Sequence, residues 1–354
     1  MFGQKLSSPV VIGSGPLSYG AKGLIWLKDE GAGAVVTKTL NDHAAVNDLP
    51  HIALEDKGTL INCEKWSDYT WQRWMDQELP QAEKAGVSYI VSTGVTLAGN
   101  PDYLKQLDRC GALATELVSY NNRDLPEMVR LIRPRADLPL IVKLSPNSDN
   151  FLEIAKECEK EGADAFTGFD SMGPAMKIDL ETGLPSMGAE GGQGWVSGRA
   201  ILPFTVDKVF RLRQVTDLPI IGLGGINDWQ DGAQLLMAGA SLTGICSSVM
   251  LHKSGYIRDF VKKLDDWMLH QGFQSYQKLS GLTLRKVGLT KEKSWPGFSF
   301  EKGKCVRCGL CEAACPYQAR TFDRDGNPLV EDGACRRCGL CATVCRTGAL
   351  KLDW

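Results

Sequence analysis

The chain lacks an apolar run long enough to cross a bilayer, and it lacks an excess of charge of either sign. With a formal net charge of −2 over 354 residues, it has no electrostatic footprint for nucleic acid. The N-terminal stretch MFGQKLSSP has no signal-peptide pattern, so we expect a cytoplasmic protein. The dinucleotide fingerprint G-x-G-x-x-G is absent as well, because GSGPLSYG at 13–20 has another spacing, and we expect no nicotinamide binding in this chain.

Cysteine, in contrast, is abundant and unevenly distributed. Eight of the 12 cysteines form two runs with the spacing C-x2-C-x2-C-x3-C, which are Cys305, Cys308, Cys311 and Cys315, and then Cys335, Cys338, Cys341 and Cys345. In bacterial ferredoxins this spacing holds [4Fe-4S] clusters, because three thiolates of a tight loop converge on one cube. The runs therefore predict two [4Fe-4S] clusters and a protein that moves single electrons.

The fourth cysteine of each run is expected to ligate the cluster of the other run. This assigns Cys305, Cys308, Cys311 and Cys345 to one cluster, and Cys335, Cys338, Cys341 and Cys315 to the other. Gly309 and Gly339 follow the second ligand of each run, where the backbone must turn sharply.

Two alternatives to the clusters fit the cysteines less well. Zinc knuckles need only paired C-x2-C, which leaves the third and fourth cysteines surplus. A disulfide framework needs an oxidising compartment. The remaining Cys63, Cys110, Cys158 and Cys246 are isolated, which suits a reducing cytoplasm.

The length of the chain allows one large domain and one small domain. Residues 301–354, which carry the cysteine runs, are too few for a good core and are expected to use their clusters as staples. Residues 286–300 are polar, contain Pro296 and are expected to form a linker. Residues 1–285 have the size of a single α/β barrel.

Eight short apolar runs alternate with longer amphipathic stretches along residues 1–285. Near-continuous apolar strands separated by helices indicate a parallel sheet covered on both faces, and eight such units predict a (β/α)8 TIM barrel. The fold class is therefore α/β, a TIM barrel followed by a small bacterial-type 2[4Fe-4S] ferredoxin-like domain. The predicted strands are Pro9–Ser14, Gly33–Thr39, Ser88–Thr93, Ala112–Tyr120, Leu138–Leu144, Ala163–Asp170, Leu218–Gly222 and Ser241–Ser247, and the predicted helices include Phe151–Glu161, Trp229–Ala238 and 254–272.

Four similar phrases mark the joints where a helix ends and the next strand begins: EGAGAVV, KAGVSYIV, EGADAFTG and MAGASLTG. In each phrase a glycine is expected to cap the helix. Two gaps, 40–87 and 171–217, are too long for simple connections, and the second contains a glycine-rich stretch at 183–198. Inserts after barrel strands lie on the C-terminal face, where barrel active sites are built.

The motifs of the predicted barrel resemble the flavin-binding family of dihydroorotate dehydrogenase and the uracil-reducing half of dihydropyrimidine dehydrogenase. The resemblance is carried, in order across residues 1–285, by GSGP (13–16), VTKT (36–39), VKLSPN (142–147), GWVSG (194–198), GLGGIN (222–227) and ICSS (245–248). The C-terminal double-cluster module is what the dihydropyrimidine dehydrogenase type carries. The resemblance implies an FMN- and iron–sulfur-dependent oxidoreductase acting on CH–CH groups.

The resemblance also implies roles for individual residues. Turns after strands seven and eight are expected to receive the FMN phosphate, and Lys143 is expected at the N1–O2 edge, where a cation stabilises reduced flavin. The expected FMN-binding residues are Gly13, Ser14, Gly15, Lys38, Thr39, Lys143, Gly194, Ser197, Gly198, Gly224, Gly225, Cys246, Ser247 and Ser248; the expected substrate contacts are Asn62, Asn147, Asp170 and Ser171. Alternatively, 194–198 is an ordinary flexible loop, and Lys38 is an ion pair at the barrel mouth.

The chain departs from the family at positions that would contact a pyrimidine. After strand four the family reads NLSCPN or NLSCPH, whereas this chain has Leu117 in place of the first asparagine and Tyr120 in place of the cysteine. After strand six the family's Asn-Thr pair is replaced by Asp170 and Ser171. Because these groups bind the amide edge of a pyrimidine, we expect neither dihydroorotate nor uracil to be the substrate. The loop after Tyr120 is short, since Leu125–Ile132 reads as a helix.

Tyr120 is the candidate catalytic residue. A tyrosine opposite the flavin can give a proton to the carbon next to the one that receives hydride. Alternatively, Tyr120 packs on the flavin or caps the strand, and the pattern favours neither interpretation. Glu116 and Asp170 lie at strand ends, either as acid/base groups or as plain solvated carboxylates.

Two functions follow from these features. The first is an enzyme that acts on an activated alkene, an enone or a cyclic amide, with electrons from an NAD(P)H-dependent flavoprotein subunit or a ferredoxin. Arg307, Arg336 and Arg337 flank the cysteines and either dock an acidic carrier or are simply solvated. The second is an electron-transfer subunit of a larger complex, or a dihydropyrimidine dehydrogenase subunit. The family often pairs its subunits, so we expect an oligomer.

Overall fold

The computed structural model describes residues 1–287 and 297–353. The chain divides into two compact units, Met1–Lys286 and Val287–Trp354. The predicted linker 286–300 falls largely on residues 288–296, which lie outside the described residues. None of the helices in the described ranges is both long and apolar enough to cross a membrane.

The first unit is a closed barrel of eight parallel strands, as predicted. Each strand pairs with the strands before and after it in the chain, except that the first pairs with the last and thereby closes the barrel. We number the strands β1 (Val10–Ile12), β2 (Ala34–Val36), β3 (Tyr89–Gly94), β4 (Ala114–Val118), β5 (Leu140–Leu144), β6 (Ala165–Gly168), β7 (Ile220–Leu223) and β8 (Leu242–Ile245).

Helices surround the barrel and bury its outer face. The predicted helices Phe151–Glu161, Trp229–Ala238 and Leu125–Ile132 are confirmed with these bounds, and the helix predicted at 254–272 spans Tyr256–His270. The glycines predicted to end helices, Gly31, Gly86, Gly162 and Gly239, all have a positive φ, which glycine adopts without steric cost. The other helices of this unit are Ala21–Asp29, Trp71–Arg73, Trp74–Glu78, Leu79–Lys84, Pro101–Leu107, Leu202–Arg213, Ser247–Leu251, Tyr276–Leu279 and Leu282–Val287. Short 3-10 turns lie at Pro16–Ser18, Val95–Leu97, Asn122–Asp124, Glu190–Gly192 and Arg199–Ile201.

The two long inserts combine into one antiparallel sheet, which we call the cap sheet. It consists of Ile52–Asp56 and Thr59–Asn62 from the first insert, and Gly194–Gly198 and Met172–Ala175 from the second, in this spatial order. Leu60 and Ser197 of the cap sheet line the same cavity as Lys143 of β5, so the sheet covers the C-terminal end of the barrel. The prediction that both inserts lie on this face is confirmed.

The second unit has the fold expected of the double-cluster module. Two short helices, Leu310–Ala313 and Leu340–Thr343, follow Gly309 and Gly339, whose φ angles of 74° and 84° make the sharp turns predicted there. Two small antiparallel sheets complete it, one of Gly297–Phe300 with Leu350–Asp353 and one of Arg320–Phe322 with Pro328–Val330. Its buried apolar residues are few among those described, namely Ala319, Cys341, Ala349 and Leu350.

Candidate functional site

The period of the strands places a polar layer above the apolar interior of the barrel. Ala114, Ile141 and Ala165 belong to the cluster of buried side chains inside the barrel. Side chains two residues apart on a strand share a face. The residues two positions further along these strands, on the same inner face, are Glu116, Lys143 and Thr167. The Thr167 hydroxyl donates to Glu116 Oε2 at 2.6 Å across the interior. Each strand thus delivers one polar group to its C-terminal end.

Lys143 is the central charge of this layer. Its Nζ lies 3.1 Å from Asp170 Oδ2, and its side chain is only 6% exposed. Burial alone would lower the pKa of Lys143, but the negative charges of Asp170 and Glu116 outweigh burial and raise this pKa. Lys143 therefore stays protonated, with its charge balanced by neighbouring carboxylates.

Glu116 is buried and is not the solvated carboxylate that one reading of the sequence allowed. It is 1% exposed, and its Oε1 has no hydrogen-bond partner among the described residues. Burial raises the pKa of Glu116, while the positive charge of Lys143 and the hydroxyl of Thr167 oppose that effect. The sequence left Glu116 open between an acid/base group and a solvated carboxylate. The two-residue period that brings Lys143 inside the barrel brings Glu116 inside as well.

Lys38 forms a second buried ion pair, as the alternative interpretation of this residue anticipated. Its Nζ lies 2.8 Å from Glu64 Oε1, and the side chains of Lys38 and Glu64 are 4% and 12% exposed. Glu64 was not predicted as a site residue, because it lies in the first insert and no barrel motif contains it. The two ion pairs flank the same cleft, since Lys38, Glu64, Lys143 and Asp170 all line it.

A cavity of about 740 Å³ lies beside Lys143 at the ends of β1, β5, β7 and β8. Gly225 approaches the backbone of Leu202 so closely that an added Cβ would lie 2.4 Å from its N and Cα atoms, at a φ of 88°. In the described part of the chain, the backbone N–H groups of Gly224, Gly225 and Ser247 have no acceptor. Free amides on a turn that only glycine can form fit an FMN phosphate, which barrels bind after strands seven and eight.

Most predicted FMN-binding residues come together at this end of the barrel. Nine of them line the 740 Å³ cavity, namely Ser14, Gly15, Lys143, Ser197, Gly198, Gly224, Gly225, Cys246 and Ser247. Lys38 and Thr39 line the adjoining cleft of about 2050 Å³. Gly13, Gly194 and Ser248 line neither space among the described residues. The residues Gly194–Gly198 form a strand of the cap sheet, and a Cβ on Gly194 would lie 2.8 Å from the Asn62 carbonyl oxygen.

The predicted substrate residues Asn62, Asn147, Asp170 and Ser171 all line the cleft. However, the Asn147 amide already donates to Ser145 Oγ at 3.1 Å and to the Ser171 carbonyl at 3.2 Å, and its oxygen accepts from the Gly173 backbone. Asn62 donates to the Trp195 carbonyl at 3.2 Å. The cleft is therefore poor in uncommitted amide groups.

Leu117 faces away from the cleft. It is fully buried among side chains between the barrel and its helices, and it lines neither the cavity nor the cleft in the described ranges. At this level of β4 the interior of the barrel is occupied by Glu116 instead, whose carboxylate accepts the hydrogen bond from Thr167.

Tyr120 stands in an aromatic wall of the cleft that the sequence interpretation missed. Its ring is parallel to that of Trp66, with centroids 5.1 Å apart, and lies 6.2 Å from that of Trp195. We call Trp66, Tyr120 and Trp195 the aromatic wall. No spacing in the sequence could unite them, because Trp195 reaches Trp66 only through the pairing of the two inserts.

The loop that carries Tyr120 is fixed by hydrogen bonds. Ser119 Oγ donates to Asp124 Oδ2 at 2.6 Å, and Asn122 exchanges two hydrogen bonds with the backbone of Ser145. A single 3-10 turn then leads into the helix Leu125–Ile132, as the short loop predicted. Tyr120 lines the cleft and is 67% exposed; partial burial and the charge of Asp170 raise the pKa of Tyr120 to about 12.

The cysteines of the second unit are arranged in a way that fits clusters. A cavity of about 310 Å³ is lined by Cys315, Cys335, Cys338 and Cys341, the four thiols expected to share one cluster. The backbone N–H of Ala319 donates to Cys315 Sγ at 3.3 Å, and that of Leu350 donates to Cys345 Sγ at 3.4 Å. The bond from Leu350 is the main cause that lowers the pKa of Cys345, which favours the thiolate that iron requires.

Among the described residues, no group of three Cys, His, Asp or Glu side chains is placed to hold a single metal ion. The second unit instead separates four thiols around a space. Such a space fits a [4Fe-4S] cube, whose iron atoms each take one thiolate at a different corner.

The barrel with its glycine turn, its buried lysine and its companion thiol-rich unit defines an oxidoreductase of the flavin and iron–sulfur type. The dihydroorotate dehydrogenase family matches residues 1–268, and the 4Fe-4S dicluster domain matches residues 304–349. The chain therefore belongs to the dihydroorotate dehydrogenase family, which binds FMN, and it carries a C-terminal ferredoxin domain. It is an enzyme of the class that acts on CH–CH groups.

Relatives of two kinds are similar to the chain. One is the catalytic subunit of dihydroorotate dehydrogenase B (NAD(+)) from Methanothermobacter thermautotrophicus, 28% identical over 291 residues, which cover 78% of this chain and 95% of the relative. The other is the NAD-dependent dihydropyrimidine dehydrogenase subunit PreA from Escherichia coli, 24% identical over 347 residues, which cover 88% of this chain and 84% of the relative.

Proposed function

We propose that the chain transfers electrons between an external protein carrier and a carbon–carbon bond next to an activating group. The electrons pass through FMN in the barrel, residues 1–285, and through two [4Fe-4S] clusters in residues 301–354. The observation that carries the proposal is the Lys143–Asp170 ion pair, 3.1 Å long, between the glycine turn and the cleft of Tyr120. FMN, when bound, joins one-electron transfer to two-electron chemistry.

The chain's own residues have three tasks in this proposal. The amides of Gly224, Gly225 and Ser247 bind the phosphate, and Lys143 offers positive charge to the ring system. Tyr120 holds the proton: with a pKa of about 12 it is protonated at neutral pH, so its hydroxyl is a donor and not a base. The cap sheet covers the end of the barrel above the same space.

The cleft favours a substrate other than dihydroorotate or uracil. A pyrimidine is held through its amide edge, and such an edge needs uncommitted donors and acceptors. Here Asn147 is fully engaged by Ser145, Ser171 and Gly173, and the amide nitrogen of Asn62 is engaged by Trp195. The aromatic wall offers ring faces instead, which supports a planar, conjugated acceptor such as a cyclic enone.

The electron donor is a separate protein, since the chain has no dinucleotide fingerprint. Candidates are an NAD(P)H-dependent flavoprotein subunit and a ferredoxin. Arg307, Arg336 and Arg337 are exposed beside the cysteine runs, which supports the docking of an acidic carrier.

A second candidate function is that of an electron relay inside a larger redox complex. The observation in its favour is that the cleft is open to solvent, with Tyr120 67% exposed at its wall. In that case a neighbouring protein, and not a small molecule, covers the cleft.

One experiment separates the two functions. The reconstituted protein is reduced anaerobically with dithionite, freed of the excess, and mixed with cyclic enones, linear activated alkenes and cyclic amides while the flavin absorbance is recorded. Rapid reoxidation by one of these compounds supports the enzyme and names its substrate class. Reoxidation by protein carriers or dyes alone, with every small acceptor inert, rejects the enzyme and supports the relay.

A further inference from the structure

Arg320 is a buried cation without adequate partners in the second unit. The residue is 4% exposed, and its Nε and Nη2 atoms have no hydrogen-bond partner among the described residues. The guanidinium carbon lies 4.7 Å from the centroid of the Phe298 ring. A cation–π contact compensates only part of the cost of burying a charge, and unpaired donors add to that cost. The buried charge and its two unpaired donors therefore favour an anion beside Arg320.

The surroundings of Arg320 indicate which anion this is. Arg320 lines the 310 Å³ cavity together with Cys315, Cys335, Cys338 and Cys341. Arg336 and Arg337 also line it but are exposed to solvent, so Arg320 is the buried cation of this lining. A [4Fe-4S] cluster with four thiolates carries net negative charge in both redox states, and each added electron increases it. Among the described residues no carboxylate lines that cavity, so a cluster held by its cysteines is the anion that this lining can supply.

The second unit contains two similar halves, one around each cysteine run, and the position of Arg320 in the first half can be compared with its counterpart in the second. Arg320 follows Cys315 by five residues, and Leu350 follows Cys345 by five. In both places a backbone N–H from the same short segment donates to the fourth cysteine, from Ala319 at 3.3 Å and from Leu350 at 3.4 Å. Leu350 is 3% exposed, so the two positions are equally buried. The two halves share a backbone and differ in one buried charge.

We propose that Arg320 is the counter-ion of the cluster held by Cys315, Cys335, Cys338 and Cys341 and raises its reduction potential above that of the other cluster. The inference rests on the proposed pair of clusters. A fixed positive charge in a poorly solvated site stabilises the reduced form more than the oxidised form, because reduction adds negative charge. One electron enters this cluster from the carrier and leaves towards the flavin, and Arg320 itself exchanges neither proton nor electron. Arg320 is thus a positioning residue that makes the two clusters unequal.

The test compares reduction potentials in the full-length, anaerobically reconstituted protein. Arg320→Leu copies the other half of the repeat, and Arg320→Lys keeps the charge. Arg324→Leu is the matched control, because it removes an exposed arginine of the same unit that does not line the cavity. The reduced clusters are titrated by EPR, with iron and sulfide measured on each sample. In Arg320→Leu the equilibrium for reduction of one of the two clusters should become at least tenfold less favourable. Its reduction potential should then fall by at least about 59 mV, the value for a tenfold change in a one-electron couple. Arg320→Lys and Arg324→Leu should shift the reduction equilibrium of either cluster by less than threefold.

The other outcomes are equally informative. If Arg320→Leu keeps its full iron and sulfide content and both reduction potentials are unchanged, the inference is overturned and the proposed function stands. If the unmodified protein binds less iron and sulfide than one cluster needs, the proposed function itself is contradicted. If Arg320→Leu loses a cluster, Arg320→Gln repeats the comparison. If both neutral variants lose a cluster and Arg320→Lys retains both clusters, the counter-ion role is supported. If Arg320→Lys also loses a cluster, the role of Arg320 is purely structural and the inference is rejected.

Discussion

Lys143 and Asp170 neutralise each other at the floor of the cleft, with Nζ and Oδ2 3.1 Å apart. The lysine lies near the end of β5, and the aspartate follows β6. The flavin site thereby acquires a carboxylate next to its main cation. Since that carboxylate competes with reduced flavin for the positive charge, the pair is expected to set how readily the flavin accepts electrons.

Replacing Asp170 by asparagine should raise the reduction potential of the bound FMN. The variant frees the charge of Lys143, which then stabilises reduced flavin more strongly. Because Asp170 is partly exposed, the gain is about 1 kcal/mol, or about 20 mV for a two-electron couple. An anaerobic titration against a reference dye measures it. Asp207→Asn, which removes an exposed carboxylate 3.8 Å from Arg211 on an outer helix, should leave the potential unchanged. A fall in potential would contradict the argument.

Tyr120→Phe should lower substrate turnover by roughly 10²-fold, the usual contribution of general acid catalysis. The ring and its stacking on Trp66 remain, so only the proton is lost. Reduction of the flavin by dithionite should be unaffected, which stopped-flow absorbance can establish. The pKa of Tyr120 is raised to about 12, so the unmodified enzyme should lose this donor only as the pH rises through that value, and turnover should show no Tyr120 titration near neutrality. Unchanged turnover would make Tyr120 a packing residue.

Trp66→Leu should weaken the binding of planar conjugated acceptors about fivefold to tenfold, because an aromatic pair contributes about 1 kcal/mol. Binding of a saturated ring of the same size should change less. Trp26→Leu is the matched control, since Trp26 is 39% exposed on the outer helix Ala21–Asp29. Dissociation constants from calorimetry with the oxidised protein measure the effect without turnover. An equal loss for planar and saturated rings would rule out recognition through ring faces.

Gly225→Ala should abolish retention of FMN. At a φ of 88° its Cβ would lie 2.4 Å from backbone atoms of Leu202, and the turn that carries the free amides would have to move. Gly99→Ala provides the control, because a Cβ at Gly99 meets nothing within 4 Å. The flavin-to-protein ratio after gel filtration, together with the melting temperature, is the readout. A Gly225→Ala protein that keeps its flavin would show that the phosphate binds elsewhere.

The barrel could be predicted because its signals are local. Each strand is a short apolar run with a helix and a capping glycine beside it, so β5 and Phe151–Glu161 are evident without knowledge of any partner. Lys143 could be placed in the same way, from its position at the end of a strand. The same two-residue period could have placed Glu116 inside the barrel. That placement was left open, because a carboxylate in an apolar strand is usually expected to face solvent.

The cleft could not be predicted, because its walls come from pairing between distant segments. Trp66 and Trp195 carry no spacing in common, and only the register of the cap sheet brings them to Tyr120. Glu64 reaches Lys38 for the same reason. Strand pairing over such separations depends on tertiary packing, which short sequence patterns do not record.

The cap sheet also constrains how this enzyme can change its specificity. Trp195 pairs directly with Asn62 across the two inserts, and a slip of one residue would turn every side chain of a strand to the opposite face. A single insertion in either segment would thus change which side chains of the cap sheet face the cleft along a whole strand. A change of substrate specificity is therefore expected to arise more readily from point substitutions in the cap sheet, or from compensating length changes in both inserts, than from a change in the length of one insert alone.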